Sequence, residues 1–139
     1  MTTGAFSEAS RAAIYEVNGG RCVGCGRTGL TAQHRLARGR GGTSNPLIGS
    51  PANGVPLCGS GVTGCHGWTE AHPIEAELLG WRLPTGTPAL GAPFWTRFGW
   101  YAWGEDDGFY FVVWVDEDDL DRAADRAAAV RYYKTMRKP

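Results

Sequence analysis

Four cysteines in two tight clusters constrain this chain more than any other feature of its sequence. Cys22 and Cys25 have two residues between them, a spacing that lets two thiolates meet one tetrahedral metal ion. Cys58 and Cys65 have six residues between them, and the intervening stretch GSGVTG is flexible enough to loop out. The pattern favours one structural zinc ion held by all four thiolates, with pairwise disulfides or buried thiols as the alternatives.

The bulk composition is that of a soluble globular protein. Hydrophobic residues make up 42% and charged residues 20% of 139 residues, enough for one domain or one domain with an appendage. The N-terminus lacks the apolar run of a signal peptide, and no stretch approaches the ~20 apolar residues of a membrane span. We therefore expect a cytoplasmic protein without membrane contact, in a compartment that keeps thiols reduced and favours metal ligation.

Periodicity and punctuation residues divide the chain into three parts and predict an α+β fold. Residues 1–20 contain an N-terminal helix, and residues 21–82 carry the cysteines. Residues 83–139 form an extension that begins with a linker at 83–93 and continues as a hairpin and a closing helix. The hairpin is predicted from the stretch FGWYAWGEDDGFYFVVWV, whose three tryptophans and three phenylalanines we expect in the core.

Two helical stretches have recognisable boundaries. The first is predicted over about 7–18, with Ser7 as N-cap and NGG at 18–20 as terminator. The second follows Cys65, and Pro73 kinks it or divides it in two. Helical spacing in the second stretch predicts that three apolar residues share a buried face: Trp68, Ile74 and Leu78.

The formal net charge is zero, but the charges are unevenly distributed. Between residues 21 and 69 every charged residue is an arginine: Arg21, Arg27, Arg35, Arg38 and Arg40. The acids gather later, in EDDG at 105–108 and DEDDLD at 116–121. Because the planar guanidinium group suits phosphate, the basic stretch indicates contact with an anionic partner, with a solvated arginine face as the alternative.

Four short segments resemble, in order and spacing, the HNH endonuclease family, in particular its small, zinc-bearing and often phage-encoded members. The segments are CVGC, QHRLARGRGG, NGVPLC and GCHGW, and they lie within residues 21–82. The resemblance implies a ββα-metal, treble-clef-like core that the four-cysteine zinc holds together. It says little about residues 95–139.

The resemblance also implies roles for individual residues. His34 would be the general base that activates water, Asn53 would hold the loop that orients it, and His66 would bind a catalytic ion. Phosphodiester hydrolysis needs such a proton acceptor near neutral pH and a cation, here Mg²⁺, Mn²⁺ or Ni²⁺, on the scissile phosphate. The simpler alternatives are that His34 caps a strand end, Asn53 shapes a turn, and His66 is an unused neighbour of the zinc.

One position departs from the family pattern. Gln33 stands where family members usually carry an acid or a histidine that also binds the catalytic ion. An amide oxygen is a weaker, uncharged ligand, so we expect reduced metal affinity or activity. Glu70 follows His66 by one helical turn, and its carboxylate could complete the coordination.

The implied function is metal-dependent cleavage of DNA, with Arg35, Arg38 and Arg40 contacting the phosphate backbone beside the scissile bond. The resemblance suggests a bacterial or phage-infected host cell as location and the phage DNA-packaging machinery as a partner. Two alternatives stay open. One is a zinc-stabilised DNA-binding module with weak or lost catalysis, and the other is a phage accessory protein that uses the zinc core as a scaffold.

Overall fold

The computed structural model describes residues 4–37 and 45–137, which form an α+β fold. The α-helices in these ranges are α1 (Glu8–Glu16), α2 (Gly64–Ala71), α3 (Pro73–Leu78) and α4 (Ala123–Met136). The strands are β1 (Leu30–His34), β2 (Gly54–Cys58), β3 (Phe94–Thr96), β4 (Gly99–Asp106) and β5 (Phe109–Val115). None of the helices described is long and apolar enough to cross a membrane.

Helix α1 begins and ends where the sequence predicts. The side chain of Ser7 accepts a hydrogen bond from the backbone N–H of Ser10 at 3.0 Å, the usual N-cap contact. Ile14 is fully buried, and the turn after the helix leads directly to the first cysteine. The helix therefore fixes the position of the chain just before the metal-binding segment.

Strands β1 and β2 form a two-stranded antiparallel sheet. Leu30 lies opposite Cys58 at one end, and His34 lies opposite Gly54 at the other. Four residue steps separate these ends, which corresponds to about 13 Å along the strands. The cysteines and His34 therefore occupy opposite ends of this sheet, and α2 follows β2 after a short turn closed by Ser60 and Thr63.

Pro73 divides the second helical stretch into α2 and α3, as predicted. The predicted buried face is only partly correct, because Trp68 is buried whereas the side chain of Ile74 is 72% exposed. The division at Pro73 changes the direction of the chain, so the helical spacing that links Trp68 to Ile74 does not continue through it. His72 instead stacks on Trp68, with ring centroids 4.8 Å apart.

The predicted hairpin is present and belongs to a larger sheet with the order β3-β4-β5. Asp107 and Gly108 connect β4 to β5 with φ angles of 50° and 85°, as in the tight turns that match the twist of paired strands. The backbone N–H of Gly108 also donates to the Glu105 carboxylate at 2.6 Å. The additional strand β3 follows the predicted linker and was not anticipated from the sequence.

The prediction that all six hairpin aromatic residues lie in the core is wrong. Trp100 and Trp103 are buried, but four others are exposed: Phe98, Phe109, Phe111 and Trp114. The two faces of the sheet are only partly covered, because α4 packs beside β4 near Trp100 and leaves much of β5 open. Large apolar side chains therefore remain on the surface of β5.

The hydrophobic core includes residues from both the cysteine-bearing part and the C-terminal part of the chain. The indole N–H of Trp103 donates to the carbonyl of Gly54 at 3.1 Å, and that of Trp81 donates to the carbonyl of Trp95 at 2.9 Å. Tyr133 of α4 packs edge-on against Trp81 at 5.0 Å. The second sheet and α4 thus help to hold the first sheet and α2 in place.

Candidate metal centre and adjacent cleft

The four cysteines come together in one buried cluster. Their Sγ atoms all lie within 4.8 Å of one another, and those of Cys25 and Cys58 are 3.5 Å apart. Four sulfur atoms at 2.3 Å from a tetrahedral zinc ion would be about 3.8 Å apart, so the spacing suits such an ion. All four are free cysteines. The predicted cluster is confirmed, and it is a candidate site for a structural metal such as zinc.

The protonation of these thiols shows why the cluster suits a cation. A hydrogen bond from Cys65 lowers the pKa of Cys22 to about 5, against the opposing effect of burial. Burial raises the pKa of Cys25 to about 11, and the hydrogen bond with Cys22 raises the pKa of Cys65. Cys22 therefore ionises while Cys25 and Cys65 keep their protons, and a divalent cation would remove the repulsion that opposes their ionisation.

The C-terminal part of the chain contacts the cluster directly. The hydroxyl of Tyr133 in α4 lies 3.0 Å from the Sγ atom of Cys65. A Cβ atom at Gly24 would overlap that hydroxyl, so glycine between the first two cysteines permits the close approach of α4. The backbone N–H of Arg97 donates to the carbonyl of Val23 at 2.7 Å. Contacts of this kind orient metal ligands and tune their basicity.

A cleft of about 530 Å³ opens at the far end of β1. It is lined by five of the residues that the sequence singled out: Gln33, His34, Arg35, His66 and Glu70. The carboxylate of Glu77 and the guanidinium of Arg82 line it as well. The structure thus gathers titratable side chains from β1, α2 and α3 around one concave surface.

The imidazole of His66 is held in one tautomer. Its Nδ1 atom lies 2.6 Å from the hydroxyl oxygen of Thr31, which also lies 2.9 Å from the carbonyl of Gly59. A carbonyl can only accept, so the hydroxyl proton goes to Gly59 and the ring donates from Nδ1. The lone pair of His66 is therefore on Nε2, 4.0 Å from a carboxylate oxygen of Glu70. Burial lowers the pKa of His66, and Glu70 opposes that shift.

His34 is oriented by the segment that precedes α1. Its Nε2 atom lies 2.7 Å from the carbonyl oxygen of Gly4, so Nε2 carries the proton and donates it. The ring also stacks on Phe6, with centroids 4.0 Å apart and planes inclined by 16°. In the neutral ring the basic lone pair is then on Nδ1. Whether His34 acts as a base stays a prediction.

Asn53 is fully buried behind the end of β1. Its side-chain oxygen accepts from the backbone N–H of Leu36 at 2.7 Å, and its amide nitrogen donates to the carbonyls of Leu36 and Ile48 at 3.0 and 2.8 Å. Its own carbonyl accepts from the N–H of Arg35 at 2.8 Å. Three of these four bonds hold the chain immediately after His34, a geometry compatible with the positioning role that the resemblance implies.

Gln33 contributes little to a cation site in the present geometry. Its side chain is 3% exposed, and its amide nitrogen donates to the carbonyl of His34 at 3.0 Å. In residues 4–37 and 45–137, the cysteines are the only group of three or more histidine, cysteine, aspartate or glutamate side chains close enough to share an ion. His66 and Glu70 are a pair, so an ion in the cleft would need Gln33 or water to complete its coordination.

The prediction that Arg35 contacts DNA is wrong, because its side chain is fully buried. Its guanidinium donates to five carbonyl oxygens at 2.7 to 3.4 Å, those of Gly80, Ala52, Ala89, Ala92 and Pro93. Burial, with a smaller contribution from Arg126, lowers the pKa of Arg35 to about 9, while the five carbonyls favour the charged form. Arg38 and Arg40, the other two predicted contacts, lie outside the described residues.

The sequence does not point to four residues of this region. Thr31 fixes the tautomer of His66, Glu77 and Arg82 line the cleft, and Tyr133 contacts the cysteine cluster. Thr31 could have been noticed, because a residue three positions before His34 in a strand lies on its opposite face and can reach the following helix. Tyr133 gave no signal, since it lies 68 residues from Cys65.

Comparison with known proteins adds no assignment, since the chain matches no family model, no curated protein and no solved structure. The resemblance to the HNH family therefore depends on the short segments alone. The function must be argued from the cleft and the cysteine cluster themselves.

Proposed function

We propose that this chain is a metal-dependent endonuclease of the HNH type that hydrolyses DNA phosphodiester bonds on a zinc-stapled ββα-metal core. The observation that carries the proposal is the cleft in which His34, His66 and Glu70 meet. His34 comes from a strand more than thirty positions before the helix that carries the other two. Metal-dependent phosphodiester hydrolysis requires at least a proton acceptor and metal-binding groups on one concave surface.

The geometry supports different roles for the two histidines, one as a base and the other as a metal ligand. His34 donates from Nε2 to Gly4, so Nδ1 is the atom that would take a proton from water. His66 donates from Nδ1 to Thr31, so Nε2 is the atom available, beside Glu70, to a Mg²⁺, Mn²⁺ or Ni²⁺ ion. When bound, that ion would stabilise the charge that develops on the scissile phosphate and the leaving oxygen.

The proposed biological setting follows the same resemblance. The substrate would be DNA, in a bacterial or phage-infected cell, and the enzyme would act beside the phage DNA-packaging machinery. With Arg35 buried, Arg82 is the cationic side chain lining the described part of the cleft that could reach a phosphate. Backbone contacts of this kind give weak sequence preference and strong salt dependence.

A plasmid-cleavage assay with Mg²⁺, Mn²⁺ and Ni²⁺ tests the proposal. We expect His34→Ala to lower the cleavage rate by about 10² to 10⁴-fold, the usual contribution of a positioned general base. Zinc content, folding and DNA affinity should stay close to those of the wild type, because the base acts in the transition state. His72→Ala is the matched control, since His72 stacks on Trp68 and does not line the cleft. Equal cleavage by both variants would contradict the proposal.

A zinc-stabilised DNA-binding module is the second candidate, favoured by the amide at Gln33. That side chain offers no charge to an ion, which leaves the adjacent pair His66 and Glu70, 4.0 Å apart, as the ligands proposed for it. Gln33→Asp should raise affinity for the catalytic ion, because a carboxylate binds hard cations better than an amide. A wild-type protein that binds DNA without cutting it, together with a Gln33→Asp variant that cuts, would favour the binding module over the enzyme.

A further inference from the structure

Strand β5 is an unprotected sheet edge. It pairs with β4 on one side, and no other strand of the described residues pairs with it on the other. Its sequence FYFVVWV contains no charge, no proline and no glycine. Phe109 is 76% and Trp114 62% exposed, and Phe111 and Val113 are exposed as well. Natural proteins usually shorten, charge or cover such an edge, because its free backbone groups can pair with another chain.

The charged residues that flank this strand in the sequence lie at its two ends, and all are negative. Glu105, Asp106 and Asp107 precede it, and four acids follow it: Asp116, Glu117, Asp118 and Asp119. Within residues 4–37 and 45–137, none of these carboxylates forms an ion pair. The edge is therefore an apolar strip between two acidic clusters.

This charge pattern argues against a second copy of the chain as the occupant of the edge. Antiparallel pairing of two β5 strands about Val112 would set Asp107 against Glu117 of the other copy, and Asp106 against Asp118. Like charges placed opposite each other destabilise a pair of strands. The same carboxylates would repel a nucleic-acid backbone, so the strip is not an extension of a DNA-binding surface.

We propose that β5 is a docking edge for a partner protein, which adds an extended apolar segment carrying basic residues at both ends. Backbone groups on the free side of β5 would pair with the segment, and alternate apolar side chains would pack beside Phe111 and Val113. The basic ends would face the two acidic clusters, which fixes the register and excludes acidic strands. This inference does not rest on the proposed nuclease function, because β5 does not line the cleft.

A synthetic peptide of sequence KKTVTVTVKK, with blocked ends, is the probe. We expect it to change the fluorescence of Trp114 and to protect alternate β5 amides from hydrogen exchange. The same peptide with alternate backbone nitrogens methylated should bind at least about tenfold more weakly, because it cannot complete the ladder. The peptide EETVTVTVEE should also bind at least about tenfold more weakly at low salt, and added salt should reduce that difference.

Two variants of the full chain locate the site. Phe111→Lys places a positive charge on the strip and should weaken binding of KKTVTVTVKK, whereas Ile74→Lys changes another exposed apolar residue, on α3, and should not. Melting curves check that both variants fold. If the methylated peptide bound as tightly as the unmethylated one, the contact would be non-specific hydrophobic binding without backbone pairing, and the proposal would be overturned. Concentration-dependent dimers in which the β5 amides are protected from hydrogen exchange would assign the edge to a second copy and overturn the proposal. An absence of peptide binding would also overturn the proposal.

Discussion

Arg35→Lys is the substitution that most directly tests the buried arginine. The wild-type guanidinium donates through Nε and both terminal nitrogens to carbonyls of five residues. These carbonyls belong to the turn before β2, the turn after α3 and the segment before β3. Lysine keeps the charge, but its single nitrogen has only three protons. Two of the five carbonyls at the least would lose their donor, and three of the five contacts are fully buried.

The cost follows from these unpaired groups. Each buried acceptor left without a donor costs about 1–3 kcal/mol, so two of them predict a loss of about 2–6 kcal/mol in the free energy of unfolding. A domain of this size has a total stability of roughly 5–15 kcal/mol, so the loss would be a large share of it. The packing of the guanidinium over the ring of Phe94, at 5.3 Å from its centroid, would be lost as well.

Urea unfolding of the zinc-loaded protein measures this loss. Arg27→Lys is the matched control, because Arg27 lies in the same basic stretch but is exposed, and its replacement should change stability by less than about 0.5 kcal/mol. DNA affinity should be the same for both variants. If Arg35→Lys left the unfolding curve unchanged and weakened DNA binding, the arginine would be a phosphate contact and the reasoning from its burial would fail.

Two further predictions concern the metal centre. Zinc binding to the reduced, metal-free protein at pH 7 should release at least two protons per ion, because Cys25, with a pKa of about 11, and Cys65, with a raised pKa, carry theirs at this pH. Cys22, with a pKa of about 5, has already lost its proton at this pH. Calorimetry in buffers of different ionisation enthalpy should therefore find fewer than four protons released per zinc ion, the number expected from an unfolded chain. Tyr133→Phe removes the hydroxyl at 3.0 Å from Cys65 and should lower zinc affinity about tenfold in competition with a chelator. The neighbouring Tyr132→Phe should leave zinc affinity unchanged. Equal zinc affinities of Tyr133→Phe and the wild type would show that the hydroxyl does not support the metal.

Features with local chemical causes were predictable from the sequence. The spacing of Cys22 and Cys25 reflects the geometry of one tetrahedral ion, which few other structures require. Ser7 caps a helix through its own side chain, and Pro73 interrupts one through its missing N–H. In each case the residues that determine the structure lie within one or two turns of one another, so the sequence contains the whole argument.

Arg35 shows why other features were not predictable. In the sequence it is one of five arginines without a nearby acid, and each of them is equally suited to phosphate. Its burial depends on the carbonyl of Gly80 and on a segment near Pro93, which lie 45 and 58 residues away. Every residue has a backbone carbonyl, so no pattern of side chains in the sequence indicates that several carbonyls will converge on Arg35.

The aromatic strand β5 shows how a local pattern can be misread. A strand buried on one face usually alternates apolar and polar residues, whereas FYFVVWV does not alternate, a pattern typical of burial on both faces. In the structure only Tyr110, Val112 and Val115 of β5 pack against the core. The acids at both ends of the run are the feature that indicates an exposed edge. A strand at the centre of a sheet needs no flanking charge. An exposed apolar edge strand, in contrast, depends on charge repulsion to keep other copies of the chain from pairing with it. Neutralising Asp106, Asp107, Asp116 and Asp118 to asparagine should therefore make the chain self-associate through β5 at concentrations where the wild type remains monomeric by light scattering.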